Sequence, residues 1–450
     1  MSAFARFAVF LKGCAMALAL IAGSASAAGA TTKIERLTSP AAIEVWFVRD
    51  DTLPILSMNF AFTGGASQDP ADRAGLAYMT AALLDEGAGD LDAKAFQERL
   101  ENRAISLSFS ADRDHFRGSL RVLTEHRAEA FELLRLALSA PRFDQEAIDR
   151  IRASVLAGLR RSANDPSDVA AKRWFAKAFP NHPYGRPVAG DEASIAGIER
   201  TLLFSYVKKN LARSNLKIAV VGSIDRETLL KQIDQVFAKL PATADLVPVM
   251  DAVPQALGES EVIDLNIPQT TITFGGISLK RKDPDFMPAF VLNHVLGGGS
   301  FSSRLYREVR EKRGLAYSVY SYLSAPRNSA LFFGGTQTRN DRAVEAWQII
   351  ESEIRRIANE GPTAEELEQA KSYLTGSYLL NFDPSAKVAS QLLEIPLTDL
   401  GIDYIDRRND LVNAVTAEDV RRAANRFLRD GKFLVLMVGR PVPLAKPKGG

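Results

Sequence analysis

The chain repeats itself. FTGGAS around Gly65 is matched by FGGIS around Gly276, NDPSDVA at Asp165-Pro166-Ser167 by FDPSAKVA at Asp383-Pro384-Ser385, and KIAVVG ending at Gly222 by FLVLMVG ending at Gly439. The separations are 211, 218 and 217 residues. Spacing this steady signals a duplication, and a duplicated chain folds into two versions of one architecture. Each half opens with a period-2 strand (Leu56 to Thr63; Thr270 to Gly275) and passes into a helix. A further strand (Ile105 to Ser110; Ala330 to Gly335), long helical stretches and a closing apolar strand follow. This succession predicts an α+β fold of two homologous domains, each a mostly antiparallel sheet layered with helices. AKLPATADLVPVMDAVPQALGES, residues 238–260, is rich in proline and alanine and has no sustained period, so it reads as the linker between a domain at 31–237 and one at 261–443.

The first residues stand outside the repeat and read as a signal peptide, residues 1–27. Arg6 and Lys12 form a basic front, Ala15 to Ala22 is apolar, and Ala25-Ser26-Ala27 supplies the small-residue cleavage pattern. The apolar run is shorter than the roughly 20 residues a membrane span needs, so no stable membrane anchor is expected. Losing Arg6 and Lys12 takes the 56 Lys and Arg to 54, against 54 Asp and Glu. That balance gives no support to nucleic-acid binding, which shows as a clustered basic surplus. Cys14, the only cysteine, leaves with the signal. Disulfides, thiol catalysis and cysteine metal ligands leave with it.

The densest stretch is LGGGSFSSRLYREVREKRGLAYSVYSY, Leu296 to Tyr322. FSSRLYREVREKRG reads as a helix with Ser300 or Ser302 near its start and Gly314 just past its end, and Leu315 to Leu323 then alternates as a strand. Arg310 and Tyr317, seven residues apart, can converge after the reversal at Gly314. Gly297, Gly298 and Gly299 admit two readings: a flexible loop that contacts peptide backbone, or a tight connection where any side chain would clash.

With the duplication and HPYGRPVAG at His182 to Gly190, this stretch resembles the insulinase, pitrilysin and mitochondrial-processing-peptidase family of inverted-zinc-motif metallopeptidases, and its bacterial exported branch in particular. The resemblance covers nearly the whole mature chain. It implies two homologous domains in one chain, paired with a second such chain around a chamber that encloses extended peptides. Arg310 and Tyr317 match the arginine and tyrosine that family members project toward the zinc site. The glycines match a glycine-rich segment that contacts peptide, and Ile105 to Ser110 matches the edge on which related enzymes lay substrate.

The family's other half is absent. Its enzymes carry H-x-x-E-H on a helix, the histidines binding zinc and the glutamate activating water. Laid over GLAYMTAALLDEG, that pattern puts Tyr78 and Ala82 at the histidine positions and Ala81 at the glutamate position. A third ligand belongs in the helix Asp144 to Arg161, where ASVLAGLRR offers Ala157 and Gly158. A catalytic zinc needs about three protein ligands, so no metal is expected here. His115, His126, His182 and His294 are the only histidines and none lies one helical turn from another. His182 reads as structural, His294 as packed in or beside a helix, Asp85 and Glu86 as a solvated helix end, and Arg304 and Arg307 as facing away from Arg310. No G-x-S-x-G elbow occurs.

The expectation is a non-zinc-binding subunit of an exported, periplasmic, heterodimeric metallopeptidase. A homologous H-x-x-E-H subunit would bring the zinc; this chain would bring Arg310, Tyr317 and chamber wall to a peptide substrate. The alternative is a non-enzymatic peptide-binding or assembly protein that keeps the fold. A chain active on its own would require ligands that the sequence does not offer.

Overall fold

A computed structural model of the chain describes residues 34–378 and 385–442. The expected signal segment and the Asp383-Pro384 anchor lie outside the described residues. The first half forms a six-stranded sheet from β1 (Glu35–Thr38), β2 (Glu44–Arg49), β3 (Ile55–Thr63), β4 (Ser106–Ala111), β5 (His115–Leu123) and β6 (Leu216–Gly222), in the order β1-β2-β6-β3-β5-β4. The second half forms a five-stranded sheet from β7 (Ser260–Ile263), β8 (Gln269–Ile277), β9 (Ala316–Ser324), β10 (Leu331–Arg339) and β11 (Leu434–Val438), in the order β7-β11-β8-β10-β9. Without β1 the two orders are the same, and each sheet has one parallel pair, β2 with β6 and β7 with β11. The chain is therefore two homologous α+β domains.

The repetition reaches single side chains. Phe60 lies opposite Gly118 across β3 and β5, and Phe274 lies opposite Gly334 across β8 and β10. A Cβ on either glycine would stand 2.1 Å from the phenylalanine Cζ, so each ring occupies the space that its cross-strand partner leaves. Gly222 and Gly439 close β6 and β11 with φ of 150° and 141°, a left-handed backbone that favours glycine.

One face of the first sheet builds the main core of its half, where Phe60, Phe62 and Phe116 meet Phe131 and Phe237 from the helices. The other face is covered by the opposite half. The Ser385–Leu397 helix lays Val388, Ala389, Leu392 and Leu393 on Trp46, Ala61, Ala219 and Val221. In exchange, the Pro166–Ala178 helix lays Trp174 on the second sheet. The Trp174 indole donates to the Leu434 carbonyl at 3.1 Å, and its ring lies 4.4 Å from that of Phe333. Both exchanged helices belong to the repeated Asp-Pro-Ser segments. The exchange explains why KIAVVG and FLVLMVG are apolar without alternation, since β6 and β11 are buried on both faces.

Residues 238–259 contain neither helix nor strand. Side chains pin them at intervals: Gln68 exchanges two hydrogen bonds with the Val247 backbone, and His182 Nε2 meets the Met250 carbonyl at 2.9 Å. His182 Nδ1 also accepts from the Tyr184 amide at 3.1 Å. The buried Tyr184 hydroxyl donates to Asp114 at 2.5 Å and accepts from the Asn328 amide at 3.0 Å, and Asp114 accepts from the Arg327 amide at 2.8 Å. HPYG thus ties the β4–β5 turn of one half to the β9–β10 turn of the other.

Candidate functional site

Tyr78, Ala81 and Ala82 lie on the Leu76–Leu83 helix, which starts from Gly75 at φ 94°. Its first turn is held by Asp69, whose carboxylate accepts from the Gly75 and Ala77 amides, both at 2.9 Å. Burial pushes the Asp69 carboxyl up to about 7 against those two bonds and the Arg186 charge, all of which favour the anion. Ala81 is buried, Ala82 half-buried and Tyr78 exposed. The Gln145–Ser162 helix packs alongside and brings Ala157 and Gly158, both half-buried. A Cβ on Gly158 would find only the Arg161 guanidinium, 3.8 Å away. Methyl groups and a bare Cα offer no lone pairs, and the Tyr78 phenol alone makes no site, so these residues do not fit a zinc ion. Among the described residues no three His, Cys, Asp or Glu side chains come together in a way that could hold a metal.

Nearby carboxylates have other roles. Glu86 pairs with Arg150 on the neighbouring helix. Burial raises the Asp85 carboxyl to about 6, while its main-chain carbonyl accepts from Gln97 at 2.9 Å. β4, which covers the expected strand, is the edge of the first sheet.

The helix expected from Ser300 or Ser302 to Gly314 is not a regular α-helix, and the glycines before it are part of a wide turn. His294–Gly298 is a turn of π-helix, Ser300–Ser302 a 3-10 turn, and Tyr306–Glu311 a second π-helix. The wide turns show in the bonds from Gly299 N to the His294 carbonyl at 2.8 Å and from Lys312 N to the Arg307 carbonyl at 3.0 Å, each spanning five residues. Single π turns inside helices often mark functional sites. Gly314, at φ 59°, then reverses the chain, its amide bonded to the Arg310 carbonyl at 2.8 Å.

The packing around this segment separates the charged residues. Glu308 is buried and taken by Lys312 at 2.6 Å and Arg313 at 2.8 Å. Arg304 and Arg307 turn the other way, onto Glu366 at 2.6 and 3.0 Å. Their charges hold the Glu366 carboxyl at about 2 against its burial. Arg310 enters none of these pairs; its guanidinium lies over the Tyr306 ring, 4.8 Å from the centroid. Tyr317, the second residue of β9, is 84% exposed. The three glycines differ among themselves. A Cβ on Gly297 would fall 2.4 Å from Ser321 Oγ and 2.6 Å from its amide nitrogen; Gly299 is half-buried under His294, and Gly298 is exposed. His294 itself is buried and stacked 5.0 Å from Tyr373, and burial pushes its pKa down.

Asp69 and Tyr306 were not singled out from sequence. An aspartate six residues before a glycine-led helix start was available as a capping signal, and the i, i+4 spacing of Tyr306 and Arg310 was available too, since residues four apart share a helix face.

Comparison with known proteins gives two family matches. The profile described as "Insulinase (Peptidase family M16)" matches residues 47–192, and "Peptidase M16 inactive domain" matches residues 197–374. A Helicobacter pylori protein named "Non-peptidase homolog YmxG" is 28% identical over 340 residues, 75% of this chain and 78% of that one. A Streptomyces coelicolor protein named an uncharacterized zinc protease is 26% identical over 408 residues, 88% and 87% of the two chains. Among solved structures, a peptidase M16 inactive domain from Pseudomonas fluorescens aligns with a TM-score of 0.86 at 29% identity, covering 92% of this chain and 99% of that one. A Helicobacter pylori protease aligns at 0.82 and 18% identity, covering 91% and 99%.

Proposed function

Because the chain belongs to the insulinase family of peptidases, M16, and carries Tyr78, Ala81 and Ala82 where the H-x-x-E-H pattern falls, we propose that it is the noncatalytic subunit of an exported, heterodimeric zinc metallopeptidase. The observation that carries this reading is the asymmetry of the site. Residues 78, 81 and 82 hold no ligand set, yet in the second half Tyr317 stands in solvent, and Arg310, seven residues earlier, rests on the Tyr306 ring with no carboxylate partner among the described residues. Among the described residues no side chain forms an ion pair with Arg310 or a hydrogen bond with the Tyr317 hydroxyl, which leaves this half-site open. A partner subunit of the H-x-x-E-H type, in the periplasm, is what it would serve.

The partner would supply the zinc and the general base. This chain's part is electrostatic: attack on a peptide carbonyl develops negative charge on its oxygen, and a guanidinium and a phenol hydroxyl are suitable donors to it. Seating Arg310 over Tyr306 positions its charge without neutralising it, so it can still meet that oxygen. The exposed backbone at Gly298 would contact the peptide on the same wall. With the partner reconstituted, Arg310→Ala and Tyr317→Phe are each expected to lower kcat/KM by about 100-fold, the typical cost of one transition-state donor. Unchanged turnover in both variants would remove the catalytic role.

A second reading is a binding or assembly protein without peptidase function; the name of the Helicobacter pylori relative, "Non-peptidase homolog YmxG", favours it. It calls for stable association with a partner and no peptide cleavage. Co-purification followed by a peptidase assay with added zinc separates the two.

A further inference from the structure

The second half has a cleft beside the helix that corresponds to the Leu76–Leu83 helix of the first half. The Phe286–Asn293 helix follows β8 as the Leu76–Leu83 helix follows β3, and β9 is the edge of its sheet as β4 is. Between that helix, β9 and the Tyr404–Asn413 helix lies a cavity of 380 Å³. Phe286, Met287, Phe290 and Leu323 give it apolar walls, and Arg281 and Arg408 bring two guanidinium groups to it.

Those two arginines differ from others in the chain. Arg304, equally enclosed, is matched by Glu366. Arg281 instead donates to the Tyr404 hydroxyl at 2.5 Å and lies over two rings, 4.5 Å from that of Phe286 and 5.0 Å from that of Tyr404. Arg408, only 7% exposed, donates to the Leu374 carbonyl at 2.6 Å and the Asn409 side-chain oxygen at 3.0 Å, and lies 4.3 Å over Tyr378. Among the described residues neither has a carboxylate within ion-pair distance. Asp406 acts on Tyr378 through its charge but pairs with neither arginine. Burial, with the neighbouring Arg281 charge, pushes the Arg408 pKa down.

Two like charges partly withdrawn from water with no counter-ion among the described residues are unfavourable, and an entering anion relieves both the repulsion and the unmet charge. Rings and a methionine around them suit an apolar body carrying that anion. We propose that this cleft binds a carboxylate attached to an apolar group, as at the C-terminus of a peptide that ends in an aromatic or aliphatic residue. Neither Arg310 nor Tyr317 lines this cleft, although Gly298 borders it, and binding there does not require a partner subunit.

Calorimetric titration of the full chain with acetyl-Ala-Ala-Phe, its C-terminal amide and octanoate tests it. The free acid is expected to bind at least about tenfold more tightly than the amide, the usual scale for hydrogen bonds to a charged group. Arg281→Gln is expected to remove that difference. Met287→Trp, which fills the cleft, is expected to abolish binding while the melting temperature reports an intact fold. Tight binding of octanoate as well would assign the site to free apolar carboxylates; binding of the tripeptide acid alone would assign it to peptide ends. Equal affinity for acid and amide, no binding of either carboxylate, or acid affinity unchanged in a folded Met287→Trp protein would overturn the proposal.

Discussion

Gly297 and Gly314 lie in one short segment, yet opposite demands make each of them glycine. At Gly297 the space is occupied: a methyl group would meet the Ser321 main chain at 2.6 Å. Gly297→Ala is expected to cost about 1–3 kcal/mol through overpacking, read as a lower urea midpoint at unchanged slope. At Gly314 the space is open and only the left-handed backbone resists, so Gly314→Ala is expected to cost about 1 kcal/mol. Asp69 gives a prediction in pH. Its folded pKa, about 7, lies above the 3.8 of a free aspartate, so the folded state holds a proton that the unfolded state releases between them. Its contribution to stability is whole below about pH 4 and is lost as pH rises toward 7. Asp69→Asn should flatten that part of the stability profile in urea titrations from pH 5 to 8, and an unaltered slope would show that burial does not govern this carboxyl. Single residues were only partly legible in sequence. Tyr78, Ala81 and Ala82 could be placed by motif alone because absence of a ligand needs no geometry. Whether a glycine spares a clash or frees a backbone depends on Ser321, a neighbour 24 residues away that no local pattern names.

At the scale of elements, the strands fell close to where the sequence predicts them, β3 and β8 being buried on both faces, and the Gln145–Ser162 helix buries one patterned face. The exception is the helix expected from Ser300 or Ser302 to Gly314, where a 3-10 turn and a π turn at Tyr306–Glu311 stand in for most of an α-helix. Hydrophobic spacing of three and four residues fits both forms over so short a run, so the pattern could not distinguish them. A larger omission concerned the helices with the Asp-Pro-Ser starts. Their apolar faces were visible; that each would lie on the other half's sheet was not, because periodicity reports that a face is buried and is silent about what buries it. Trp174→Ala tests how much this exchange contributes. The side chain is fully buried against Phe333 and bonded to Leu434, so a loss of about 3–5 kcal/mol is expected by chemical denaturation.

Over the whole molecule, the duplication read from three motif pairs accounts for the matching strand orders, including the parallel pair in each sheet. The cleft carrying Arg281 and Arg408 had no comparable signal, since its lining comes from stretches more than 100 residues apart. Exchange of helices also means that the linker does not hold the halves together by itself. Val247 and Met250 are 67% and 75% exposed and open to protease. A chain nicked there is expected to elute as one species on size exclusion, with both fragments present; separation of the fragments without denaturant would show that the exchanged helices contribute little cohesion.

The same exchange sets an order of events during synthesis. Trp46, Ala61, Ala219 and Val221 are complete as a surface once β6 has been made, but the helix that shields them begins more than 160 residues later. At roughly 5–20 residues per second, an apolar sheet face stays uncovered for on the order of ten seconds or longer. Until then the nascent first half offers a ready landing place for any other amphipathic helix, including the Ser385–Leu397 segment of a neighbouring chain. A chaperone that occupies this face during that interval would decide whether two chains finish separately or entangled.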